Sequence, residues 1–162
     1  MKDAVGSTML VYIVIIVVGI VGAIMVASNM YTSAYKAKNN IVSIINRHYQ
    51  VHDDTNCFGE EGVCTNSILA TLKNMGYHTK VDCSKYIDKV TKKAREDDDG
   101  NSIVSVDGIN LGNDNKGYCI YKVTIPDGYY YTVITFSHLN INVLGIGSLF
   151  STPVYGETRT FY

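Results

Sequence analysis

Nineteen consecutive residues near the N-terminus, MLVYIVIIVVGIVGAIMVA from Met9 to Ala27, carry no charge. The uncharged stretch is wider still, running from Ala4 to Tyr35. A helix needs about 20 apolar residues to cross the hydrocarbon of a bilayer, and this run meets that length. A secretory signal peptide has a basic n-region, an apolar core of about 7–15 residues and a small-x-small cleavage site. The run here is longer, although Ala23, Ala27 and Ser28 are small enough to serve a signal peptidase. The segment therefore reads as a transmembrane helix, with a cleavable signal as the competing reading.

The chain does not turn after Ala27. The following stretch, SNMYTSAYKAKNNIVSIINRHYQVH, holds neither Pro nor Gly. Ile41, Ile44, Ile45 and His48 fall at the i, i+3, i+4, i+7 spacing of one helix face, with Lys36, Lys38, Asn39, Asn40, Asn46 and Arg47 elsewhere. The spacing predicts one helix of about 45 residues, roughly 65 Å long at 1.5 Å per residue. Its first half is apolar all round and its second half carries one apolar stripe. Gly19 and Ala23 make a small-xxx-small pair with Gly22 beside them, where a neighbouring helix could approach closely. In a simple single-pass anchor these small residues have no role. Topology signals conflict. Lys2 and Asp3 precede the span and Lys36 and Lys38 follow it, so the positive-inside rule keeps the following side cytoplasmic. The cysteines argue for translocation and are the stronger signal.

All four cysteines, Cys57, Cys64, Cys83 and Cys119, lie after the span. An even count on one side of a membrane fits an oxidising, extracytoplasmic compartment. A zinc site is disfavoured because no C-x₂-C pair occurs and His48, His52, His78 and His138 lack ligand spacing to the cysteines. Four cysteines allow three pairings. Cys57 and Cys64 bracket a Gly-rich loop short enough to close on itself, which would leave Cys83 to staple the middle of the domain to Cys119.

With 162 residues, the chain has room for the helix and one compact domain: residues 1–52 as transmembrane helix and amphipathic extension, residues 53–162 as a head. In the head, Thr65-Asn66-Ser67 reads as the cap of a short helix from Ile68 that ends at Gly76. A second short helix is expected from Ser84 to Arg95, broken by Glu96-Asp97-Asp98-Asp99. The period then changes to two. Strands are expected over Ser102–Val106, Gly117–Ile125 and Tyr129–Leu139, the last two paired across Pro126-Asp127-Gly128. TPVYGETRTFY reads as a last strand at the sheet edge. The expectation is an α+β head, an antiparallel sheet with one or two short helices on one face. The segment from Asn140 to Phe150 reads as an apolar, Gly-rich loop. If exposed, its Leu144, Ile146, Leu149 and Phe150 would form a contact for a partner or the outer membrane surface. Thirteen Tyr and no Trp suit half-exposed strands and contact surfaces.

Catalytic patterns are missing: no G-x-S-x-G, H-E-x-x-H, P-loop or dinucleotide fingerprint occurs. The acidic stretch Asp97-Asp98-Asp99-Gly100-Asn101, with Asp107 and Asp114 in nearby loops, fails the calcium-loop template. Counting back from Gly100, Arg95 stands at position one and Val106 at position twelve. A net charge of −1 gives no field for nucleic acid, and Lys89, Lys92, Lys93 and Arg95 sit beside four acids. No enzyme, cofactor, metal or nucleic-acid partner is expected.

The whole pattern resembles the pilin-like proteins, in particular the TadE-like minor pilins of tight-adherence systems. Gly6-Ser7-Thr8-Met9-Leu10-Val11-Tyr12 leads directly into the span, as the family's Gly, small residues, Glu and aromatic do, with Tyr12 at the aromatic position and Val11 at that of the Glu. The C-terminal YTVITF and LGIGSLFSTPVYGETRTFY resemble the family's closing strand, apolar loop and final strand. The resemblance covers both ends of the chain and not the cysteine-bearing middle. It implies processing between Gly6 and Ser7, assembly with other pilin-like subunits or with itself into a surface filament, and a head outside the membrane. Val11 departs from the pattern, since the family's Glu serves peptidase recognition and subunit pairing, so an uncleaved, membrane-embedded initiating or capping subunit is also implied. The competing function is a single-pass anchored extracellular binding or adhesion module.

Overall fold

The computed structural model describes residues 2–51, 57–59, 62–77, 79–95, 105–107, 110–141 and 146–162. Helix α1, Lys2–Val51, is a single continuous helix of 50 residues, about 75 Å long. Among the described residues, 8–26 of its N-terminal half are exposed, and its C-terminal half is built into the head. Helix α2, Val63–Asn74, lies against it. A 3₁₀ turn, Cys83–Tyr86, leads into α3, Ile87–Arg95. The strands are β1, Ser105–Val106, β2, Tyr118–Ile125, β3, Gly128–Ile141, and β4, Ile146–Glu157. They form one antiparallel sheet in the order β1-β2-β3-β4, so the head is α+β.

Helices cover both faces of this sheet, not one. Ile120, Tyr131, Val133 and Val154 pack with Ala34, Ala37, Ile41, Ile45, Ile68 and Leu72 of α1 and α2. On the opposite face, Cys119, Tyr121, Val123, Ile134 and Phe136 pack with Cys83, Tyr86, Ile87 and Val90. The cause is legible in β2. Its first four residues, Tyr118-Cys119-Ile120-Tyr121, are all buried, and a strand apolar on both sides needs a layer on each. Much of the tyrosine expected at half-exposed positions is therefore core: Tyr77, Tyr118, Tyr121 and Tyr131 are buried.

Other boundaries differ from the sequence expectation for local reasons. α2 begins at Val63, ahead of the Thr65-Asn66-Ser67 cap, because the carbonyl of Cys57 accepts from the N–H groups of Cys64 and Thr65 at 3.0 and 3.2 Å. A neighbouring backbone carbonyl thus restrains the first turn, where a side-chain cap was expected. The helix ends before Gly76 as expected. The β2–β3 turn has two residues, Pro126 and Asp127, since Gly128 already pairs with Ile125. Most of the expected apolar loop is strand: Asn140 and Ile141 belong to β3 and Ile146–Phe150 to β4. Leu144 and the acidic run at 96–99 lie outside the described residues, as does most of the expected Ser102–Val106 strand.

Candidate functional site

Helix α1 presents two distinct surfaces. The first is its exposed half. Large apolar side chains from Met9 to Val26 are 46–67% exposed, and α1 is long and apolar enough to cross a membrane. An exposed apolar surface of this extent marks a site of contact with a membrane or with protein. Gly19 and Gly22 sit in this half, and a Cβ added at either would meet nothing within 4 Å. Ala23 beside them is exposed. The small-residue face is thus open to another helix. α1 runs through Gly6 and Ser7 without a break.

The second surface is the seam with the sheet. Ala34, Ala37, Ile41 and Ile45 are 0–1% exposed and form one stripe, which starts two turns earlier than the Ile41, Ile44, Ile45, His48 set suggests. Small side chains at 34 and 37 let β3 approach the helix closely. There the Thr135 hydroxyl donates to the Ala34 carbonyl at 2.8 Å. Gly156 serves the same approach on β4, where a Cβ would come within 2.6 Å of the Lys38 side chain. Lys38 in turn lies over the Tyr35 ring, 4.2 Å from its centroid. Further along, the Asn46 side-chain oxygen accepts from the Arg159 N–H at 3.2 Å. The Tyr49 and Tyr131 hydroxyls meet at 2.8 Å, and the Phe161 ring packs tilted against Tyr49 with centroids 4.6 Å apart.

These contacts set the direction of the sheet relative to the helix. Ala34 meets Thr135, Lys38 meets Gly156 (the ladder partner of Val133), and Tyr49 meets Tyr131. Moving up β3 is therefore moving back along α1 toward its apolar half. Ile146, Leu149 and Phe150, expected as contacts, are placed by β4 at that same end of the sheet.

All four cysteines are paired: Cys57 with Cys64, Cα atoms 4.7 Å apart, and Cys83 with Cys119, 5.7 Å apart. The first bond ties the start of α2 to the segment just after α1. The second ties the 3₁₀ turn to the middle of the sheet. His48 brings a ring nitrogen within 4.8 Å of both sulfurs of the first bond, in a groove of about 410 Å³ between α1 and α2 that Arg47 and Thr71 also line. The sulfurs are spent on each other, leaving no thiolate to hold a cation.

Tyrosine hydroxyls complete the interior. Tyr77 reaches the end of β2, donating toward the Gly117 and Phe136 carbonyls at 2.9 and 3.0 Å and accepting from the Phe136 N–H at 2.8 Å. It stands where the next strand residue would pair, because Gly117 turns out of the sheet in the left-handed region at φ 72°. The Tyr121 hydroxyl donates to the Cys83 carbonyl. Burial pushes the phenols of Tyr118 and Tyr121 up to about 12, with Asp114 and Asp82 adding to the shift at Tyr121. Burial also raises Tyr77, and at Tyr131 burial with the Tyr49 hydroxyl raises the phenol further.

Sequence reasoning missed Ala34, Ala37, Thr135 and Tyr77. The first two carried a signal, since 34, 37, 41 and 45 keep to one helical face; the others are tertiary contacts across 101 and 59 residues. No protein-family profile, curated protein or solved structure matches this chain.

Proposed function

We propose that the chain is a pilin-like, membrane-anchored subunit, of the TadE-like minor-pilin kind, that assembles into or initiates a surface filament. The observation that carries the reading is the division of α1: one unbroken helix is exposed and apolar for its first half and built into an α+β head for its second. Such a helix couples any packing in the membrane rigidly to the position of the head. The open Gly19, Gly22 and Ala23 face gives neighbouring spans a place to close on one another. Two disulfides fit a head on the extracytoplasmic side. Val11 in place of a carboxylate requires no charged partner in lipid, which favours an initiating or capping position over the filament shaft. The mechanism is assembly, not catalysis.

The test is disulfide or photochemical crosslinking of spans in native membranes, with Gly19→Leu and Ala23→Leu together. Loss of the crosslinked species, with the head still folded, supports assembly through this face. Retained crosslinking, with surface binding lost on changing Leu149 and Phe150, favours the anchored adhesion module. A chain beginning at Ser7 in a sheared surface fraction would assign it to the shaft; a chain beginning at Met1 and confined to membranes fits the initiating role.

A further inference from the structure

The β3–β4 hairpin continues beyond the contact that joins Thr135 to Ala34. From Lys38 to Ala34 is four helix residues, about 6 Å. The matching ladder steps, Val133 to Thr135, span about 7 Å. Helix and strand therefore advance toward the same end of the molecule. β3 continues six residues beyond Thr135, to Ile141, about 20 Å more. Ala27, the end of the apolar run, lies only seven residues before Ala34, about 10 Å. Even if half the strand's length is lost to inclination, the end of β3 comes level with Ala27.

We propose that the far end of this hairpin, Leu139–Ile141 of β3 and Ile146–Phe150 of β4, enters the headgroup and acyl boundary of the bilayer beside the span. The proposal rests on α1 being a membrane anchor. Its occupant is lipid because the hairpin end is placed at the level where that anchor leaves the hydrocarbon. The composition agrees. From Gly128 to Gly156 there is no Asp, Glu, Lys or Arg, and His138 is the one titratable imidazole, so no permanently charged side chain in the hairpin opposes entry. The end itself alternates Leu139, Ile141, Ile146, Leu149 and Phe150 with Asn140, Gly147 and Ser148, a mixture suited to an interface.

Depth is limited by the backbone. β4 is the last strand of the described sheet, and an edge strand turns a row of main-chain N–H and C=O groups outward, which the hydrocarbon interior does not tolerate unless they are satisfied. The hairpin thus stops at the boundary and does not span. With a rigid helix on one side and an inserted hairpin on the other, the head has two points of attachment and cannot rotate about α1.

The chain has no Trp, so single Trp reporters can be placed in the full-length protein in phosphatidylcholine–phosphatidylglycerol vesicles, some made with acyl chains brominated near the headgroup. Phe150→Trp and, as a second hairpin reporter, Leu149→Trp are compared with Ile15→Trp in the span. Tyr162→Trp, at a position 97% exposed and at the opposite end of the sheet, is the water reference. The proposal expects blue-shifted emission and strong bromolipid quenching at either hairpin position, no quenching at Tyr162→Trp, and quenching at Ile15→Trp. Quenching at Ile15→Trp alone overturns the proposal and leaves the anchor standing. Blue-shifted but unquenched hairpin reporters also overturn it, by placing the hairpin end against protein. An unquenched Ile15→Trp overturns the anchor and the proposal together.

Discussion

The Thr135 hydroxyl donates to the main-chain carbonyl of Ala34 across 2.8 Å, joining residues 101 apart in the chain inside the seam between β3 and α1. Both residues are fully buried. Ala34 sits within an unbroken helix, so its carbonyl also serves the helical ladder; the threonine uses the second lone pair. This bond lies on the side of the head nearest the apolar half of α1, and it locks the strand to the helix where leverage from the span would be greatest.

Removing that hydroxyl while keeping its volume, Thr135→Val, is expected to lower the stability of the head by about 0.5–1.5 kcal/mol, the net worth of one such bond. Ala34→Leu is expected to cost more, about 1–3 kcal/mol, because the seam has no room for added atoms. Urea unfolding in detergent micelles, followed by near-ultraviolet circular dichroism, checks both. If Ala34→Leu unfolds at the wild-type urea concentration, the seam is not closed as described.

Tyr77→Phe removes the one hydroxyl that ends the β2–β3 ladder. It leaves the Phe136 N–H without its acceptor, inside the protein, at an expected cost of about 1–3 kcal/mol. Hydrogen exchange gives the local readout: the Phe136 amide should exchange faster than in the wild type, while the Val133 amide keeps pace with global unfolding.

Alkaline pH should unfold the head through its buried phenols. An ordinary tyrosine titrates near pH 10, whereas Tyr118 and Tyr121 are held at about 12. Raised in the folded state, these groups bind their protons more tightly there than in the unfolded chain. Their contribution to stability is complete below about pH 10 and is lost as the pH climbs from there toward 12. Tyrosinate absorbance in the folded protein should rise in two phases and collapse to one in denaturant. A single phase near pH 10 in the folded protein would contradict the burial of these side chains.

The two disulfides should differ in worth. Cys83 and Cys119 are 36 residues apart and Cys57 and Cys64 only seven. Loop-entropy scaling assigns about 4 kcal/mol to the first and about 2 to the second. Paired Cys→Ala variants, compared by urea unfolding, should show that order. Intact mass of the native protein should fall four hydrogens below its reduced form, two for each bond.

Patterns confined to neighbouring residues were legible before any coordinates. The unbroken helix was readable because Met9–Ala27 and the stretch after it contain no breaker after Gly22 and keep to helical spacing. The β2–β3 hairpin was readable because Pro126-Asp127-Gly128 punctuates two β-branched and aromatic runs. These signals live in local dihedral preference and side-chain period, which a linear string preserves.

What packs on what was not legible in the same way. Period two in a strand does not say whether one face or both will be covered, so helices on both faces emerged only with the fold. Asn140–Phe150 reads as a loop by its glycines, yet pairing with the long β3 satisfies its backbone and makes most of it strand. Ala34 is an ordinary small residue until Thr135 is brought against it, and Tyr77 an ordinary tyrosine until the sheet ends beside its hydroxyl. Such roles depend on contacts across dozens of residues, and no local preference of the chain encodes them.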